Sequence, residues 1–170
     1  MGGTFIVLRL VHVTLGVFWA GGVLFMNFIV GPALAASGPD GIKVMAELNR
    51  RRYFEIMLGA GAFTILSGLD LMRRDSAGFS AGWFRSSIGI GISTGMAAAI
   101  IAFLLGLFAI RPAIKRLSAI GAQVAQATPE ARAGLMAAAA PVRGRLIALG
   151  SVGALFLLIA VLSMAVARYL

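Results

Sequence analysis

Apolar positions in this chain do not alternate with polar ones. They gather in four long runs, separated by polar segments that carry proline and arginine. The runs extend from about Phe5 to Ala36, Phe54 to Met72, Ser86 to Ile110 and Leu146 to Tyr169. A helix needs about 20 residues to cross the hydrocarbon core. Spanning strands would need alternating segments of about ten residues, and none is seen. Helices satisfy their backbone polar groups internally. The pattern therefore predicts an all-α fold, a polytopic membrane four-helix bundle, as a single transmembrane domain over 1–170. The first run has an Ala33-Leu34-Ala35 stretch resembling a leader cleavage site, but it lacks a basic start and is too long, so it is read as a retained span.

The segment between the third and fourth runs, about 111–145, is too long to be a bare connection. Pro112 to Gln126 is expected to carry the third helix out of the membrane. Pro129 to Ala140 is expected to form a separate short helix, whose Leu135 and Met136 would lie on lipid or on a partner.

The segments joining spans within each half resemble one another. The first reads Gly31-Pro32-Ala33, Gly38-Pro39-Asp40 and Arg50-Arg51-Arg52; the second reads Arg111-Pro112-Ala113, Thr128-Pro129-Glu130 and Arg143-Gly144-Arg145. Both Pro-acid pairs read as helix starts, with Thr128 an N-cap. Two repeated helical hairpins of the same orientation would explain this. The competing explanation is that membrane hairpins commonly end in Pro and Arg.

Composition narrows the class. The chain is 60% hydrophobic and 12% charged, with a mean hydropathy of +0.97, no cysteine and one histidine. Soluble domains are about 45–50% apolar and about 25% charged. Absence of cysteine excludes disulfides, zinc knuckles, iron–sulfur sites and thiol catalysis. A single histidine excludes bis-histidine haem ligation within one chain. No phosphate-binding loop, dinucleotide fingerprint or zincin motif is present. No span carries the acidic series of a proton-coupled transporter.

The net charge is +9. In so apolar a chain this points to anionic lipid rather than nucleic acid. Arg9, Arg73, Arg74, Arg85 and Arg168 share one side, and the other 10 of the 15 basic residues share the opposite side. The positive-inside rule then places both termini in the periplasm. Arg50 to Arg52 with Tyr53 read as a basic anchor, Trp83 and Tyr169 as an outer aromatic belt, and Glu55 as a helix-start acid.

Membrane helices associate by close approach of small residues. Ser87, Gly91, Gly95 and Ala99 form one such ridge on the third span, and Ala98, Ala102 and Gly106 a second. Gly61, Thr64 and Gly68 add another on the second span.

Polar groups within spans are costly and mark candidate sites. At 100° per residue, Arg9, His12, Gly16, Trp19, Val23, Met26 and Asn27 share one face of the first helix. His12 is the candidate ligand for metal or haem. Met72, Met96 and Met164 are candidate thioether partners, since imidazole with thioether suits Cu(I) or His/Met haem. Arg9, Asp70, Trp19 and Asn27 are candidate supporting residues, with Asp70 expected to pair with Arg9 or orient His12. Met26 is excluded, being about 21 Å along the helix from His12. The bland alternative is that Arg9 reaches the headgroups while His12 bonds a neighbouring helix.

The run from Arg9 through His12, Gly16 and Trp19 to Gly21-Gly22 resembles the first helix of small bacterial membrane proteins with an H-x-x-x-G-x-x-W-x-G-G pattern. Thr64-Ile-Leu-Ser67-Gly68-Leu69 is similar to their T-x-L-S/T-G-L element. These proteins include the CopD-type copper-resistance membrane domain and uncharacterised four-helix families; a more distant likeness is to the cytochrome-b-like protoporphyrinogen oxidase family. The resemblance covers mainly residues 9–70. It implies a bacterial inner-membrane location, His12 as ligand to haem b or copper, and Trp19, Gly21 and Gly22 as packing or site-wall residues. Those haem-binding relatives would supply a second histidine, which this chain lacks. Haem would then require methionine, a five-coordinate site or a partner chain.

Three functions follow as expectations. The first is a non-enzymatic accessory or assembly component, packing as a homo-oligomer or in a larger membrane complex. The second is a copper- or haem-handling protein using His12. The third is a cytochrome-like oxidoreductase.

Overall fold

The computed structural model describes residues 2–169. The fold is all-α. Helix α1 (Gly3–Phe25), a π-helical turn (Met26–Val30) and α2 (Gly31–Ala36) form one continuous first span. Helix α3 (Gly38–Arg50) follows, then the second span α4 (Tyr53–Asp75) and the short α5 (Ala81–Phe84). The third span begins with α6 (Ser87–Leu105), passes through a second π-helical turn (Gly106–Ile110) and continues as α7 (Arg111–Gln126). Helix α8 (Pro129–Val166) and a closing 3₁₀ turn (Ala167–Tyr169) make the fourth. These four helices are long and apolar enough to cross a membrane, compatible with a multi-pass membrane protein.

The chain folds as two antiparallel hairpins, with α1 closely packed on α4 and α6 closely packed on α8. Within the first pair, residue numbers in contact add to about 80. His12 meets Gly68, Gly16 meets Thr64, and Trp19 meets Gly61. In the second, Gly91 lies on Ala167 and Gly95 on Met164. The hairpins join through Trp19, whose ring meets Phe103 edge-on at 6.4 Å, and through a core of Met57, Ala60, Ala98, Ala99, Ala102, Leu157 and Ala160.

Both π turns have the same cause. Proline has no N–H and its ring collides with the carbonyl four residues back. Pro32 and Pro112 would each collide with a phenylalanine carbonyl, that of Phe28 or Phe108, and each of those residues lies inside a π turn. A widened turn relieves the clash without breaking the helix. The same distortion at the same place in both hairpins gives the sequence repeat a structural counterpart.

The long third connection differs from expectation. Pro129 starts a helix capped by Thr128, whose Oγ1 accepts from the Ala131 N–H at 3.5 Å. That helix does not stop before the fourth span. It runs unbroken from Pro129 to Val166 with Pro141 inside it. Packing of α8 on α7 supports a continuous helix here, where propensity alone would end it. The 111–145 segment is thus an antiparallel helical hairpin joined at Ala127-Thr128, and α7 projects about 24 Å beyond the second π turn.

At the opposite end, Ser76 is 1% exposed and organises the turn out of α4. Its hydroxyl donates to the Arg73 carbonyl at 3.3 Å and accepts from the Phe79 N–H at 2.8 Å.

Candidate functional site

His12 is fixed by backbone. Its Nδ1 lies 2.8 Å from the Thr64 carbonyl oxygen on α4. A carbonyl only accepts, so Nδ1 carries the proton, and the tautomer this selects is the one whose lone pair is on Nε2. Thr64 is suited to this role because its own hydroxyl is occupied, donating to the Ala60 carbonyl at 2.8 Å. The Ser67 hydroxyl also donates to the Thr64 carbonyl, at 3.1 Å.

Gly68 makes the approach feasible. A Cβ there would stand 2.8 Å from His12 Cε1, 3.0 Å from Nδ1 and 3.0 Å from the Met96 methyl. The absence of a side chain at Gly68 thus uncovers the Thr64 carbonyl and seats the imidazole and the Met96 thioether end over one point. The His12 and Gly68 elements of the two sequence motifs therefore touch directly.

The remaining candidates distribute as follows. Trp19 is buried on Gly61, whose added Cβ would lie 2.8 Å from the indole, and it serves as a wall between hairpins. Met72 is buried. Met164 lies over Gly95, with its Cγ 2.7 Å from where a Cβ would stand, one residue along α6 from Met96. Gly61, Gly68, Gly91 and Gly95 all occupy helix contacts, and Ala99 lies in the core.

Two supporting roles are corrected. Asp70 neither pairs with Arg9 nor orients His12. Its carboxylate pairs with Arg73 at 2.8 Å and Arg74 at 3.0 Å on its own helix, the partners three and four residues along. Arg9 is exposed. Asn27 also stands away from His12, about 22 Å along the helix. It faces α8, where its Oδ1 lies 2.7 Å from the position a Cβ at Gly150 would take.

One contact escaped sequence reasoning altogether. Tyr53, read as an interfacial anchor, is half-buried and donates its hydroxyl to the Gly22 carbonyl at 2.8 Å. It closes the α1–α4 pair at the end remote from His12. The Gly21-Gly22 pair was its sequence signal: only Gly22 faces α4, next to the Met57 sulfur.

The side chains that meet over Gly68 are the His12 imidazole and the methyl end of Met96. Among the described residues no group of three or more His, Cys, Asp or Glu side chains gathers to hold a metal ion. Comparison with known proteins finds no family model, no curated protein and no solved structure that matches the chain.

Proposed function

We propose that this chain is a non-enzymatic component of a bacterial cytoplasmic membrane, an accessory or assembly subunit that packs against copies of itself or a larger complex. The observation that carries the reading is the closure of the helix pair on itself. His12 bonds the Thr64 carbonyl, Tyr53 the Gly22 carbonyl, Thr64 the Ala60 carbonyl and Ser67 the Phe63 carbonyl. The first two tie α1 to α4 and the last two close within α4, so these polar groups are satisfied by backbone rather than lining a reaction chamber. Outward faces are strongly apolar, with Val17 and Phe108 both 70% exposed. The basic excess on the loops between paired spans favours placing that end in the cytoplasm. Mild-detergent purification with cross-linking and mass analysis tests the reading. A defined oligomer or stoichiometric partner is expected; a partnerless monomer would sink it.

A second reading, copper handling at His12, is favoured by one specific observation. Nδ1–H donation to a backbone carbonyl is the usual way a protein leaves Nε2 free for a metal. The adjoining Met96 thioether makes the pair suit Cu(I), for which soft ligands are selective. Haem fits less well, because the direct His12–Gly68 contact leaves no slot for a macrocycle on that side of the ring. The likeness to CopD-type domains agrees with copper. Bound copper would be held by His12 and Met96, with Thr64 fixing the ring. Metal content after Cu(I) loading, compared with His12→Ala, decides it: one equivalent lost in the variant supports the reading, and metal-free wild type removes it.

A further inference from the structure

A cleft of about 210 Å³ opens at the basic end of the molecule, between α7 and the junction of α3 with α4. Its polar lining is Asn49, Glu55, Arg111, Lys115 and Ser118. Arg111, Lys115 and Ser118 recur at four- and three-residue spacing, so they share one face of α7. The Asn49 amide donates to the Ser118 hydroxyl at 3.5 Å and ties the two walls together.

Arg111 is the unusual member. Its Nε is buried and has no hydrogen-bond partner among the described residues. It makes no ion pair there within 4.0 Å, although Glu55 lines the same cleft. A buried charged donor without an acceptor is a costly arrangement that calls for a partner. The second π turn ends immediately before Arg111, and it resets the direction in which this side chain leaves the helix.

We propose that this cleft binds the phosphate of an anionic phospholipid headgroup. Guanidinium donors match phosphate oxygens in a fork, an ammonium adds a point charge, and the Ser118 and Asn49 groups supply neutral hydrogen bonds. Two cations against the single Glu55 carboxylate leave one net positive charge, which suits a singly charged phosphodiester better than a doubly charged phosphate. The cleft lies where the apolar run of α4 begins, at Phe54 and Glu55, at the level expected for headgroups.

The test uses the purified full chain in maltoside micelles, following the Arg111 Nε–H resonance by NMR. Three probes are titrated: phosphatidylglycerol, inorganic phosphate and phosphate-free diacylglycerol. Phosphatidylglycerol is expected to move the resonance saturably; read from the Ser118 backbone amide, which every variant keeps, binding should be at least fivefold weaker in Arg111→Gln and tighter in Glu55→Gln. Arg111→Gln removes no hydrogen bond of the Nε, and Lys115→Gln on the same face provides an independent loss. Saturation by inorganic phosphate at comparable concentration would make the ligand a free anion and overturn the lipid assignment. An equal response to diacylglycerol, or no saturation with any probe, would overturn the phosphate site itself.

Discussion

His12 and Thr64 are 52 positions apart in sequence, yet the imidazole Nδ1 and the Thr64 carbonyl oxygen are 2.8 Å apart. Gly68 keeps that path open. The pair should therefore be energetically coupled to a third residue that forms no hydrogen bond in it. His12→Ala is expected to cost about 1 kcal/mol of bundle stability, the scale of interhelical hydrogen bonds in membranes. Gly68→Ala should cost at least as much by displacing the ring. In the double variant the two losses should be strongly non-additive, because the added methyl then meets space where the ring was. Reversible unfolding in mixed micelles measures the cycle. Simple additivity would show that Gly68 and His12 are independent.

Glycines in the bundle should separate into two groups. Gly61→Ala places a methyl 2.8 Å from the Trp19 ring, and Gly95→Leu drives into Met164 and the Ala160 carbonyl. Both should destabilise, the leucine more. Gly59 has nothing within 4 Å of a Cβ, so Gly59→Ala should stabilise by about 0.5–1 kcal/mol through helix propensity. Melting temperatures in detergent rank the three variants, and a destabilised Gly59→Ala would contradict the packing assigned to α4.

Pro141 withholds one hydrogen bond from the Ala137 carbonyl within α8. Pro141→Ala should restore it and stabilise the α7–α8 hairpin by up to about 3 kcal/mol. Slower amide exchange around Ala137 is the expected signature. Faster exchange there would mean that the proline is fitted to a bend on which α7 packing depends.

The carboxyl of Glu47 on α3 is held below its ordinary range by hydrogen bonds from Arg50 and then Arg51. A depressed folded-state value means that the interaction contributes fully above the ordinary value of 4.5 and fades as pH falls through the lowered one. The backbone resonances of residues 47–51 in the wild type should shift in that acid window, and Glu47→Gln should abolish the shift there. The effect should weaken in high salt, because all three side chains are largely solvated.

The four spans were legible in the sequence because apolarity accumulates over each run and needs no knowledge of partners. The ridge glycines were legible for the same reason: their spacing is local. What the sequence concealed was backbone acting as partner. No side chain advertises the Thr64 carbonyl, and Gly68 reads as a packing residue until the ring above it is seen. Asp70 reads as a partner for α1 in the sequence, whereas Arg73 and Arg74, three and four residues along its own helix, take up its carboxylate. The helix through Pro141 was missed because a proline's local penalty is visible in sequence, whereas the α7 surface that offsets it is not.

Each π turn holds a surplus residue relative to an α-helix of the same rise. One such residue rotates everything beyond it by about 100°. The first and third helices therefore change phase partway along: the face directed inward by Trp19 or Ala99 differs from the face directed inward beyond Val30 or Ile110. Removing one residue from either turn would let the helix close up and would swing Arg111, or its counterpart Gly31, out of its present bearing while leaving the apolar spans intact. The two halves of each long helix are thus separable in direction, so the surface outside the apolar layer can change without disturbing the register within it.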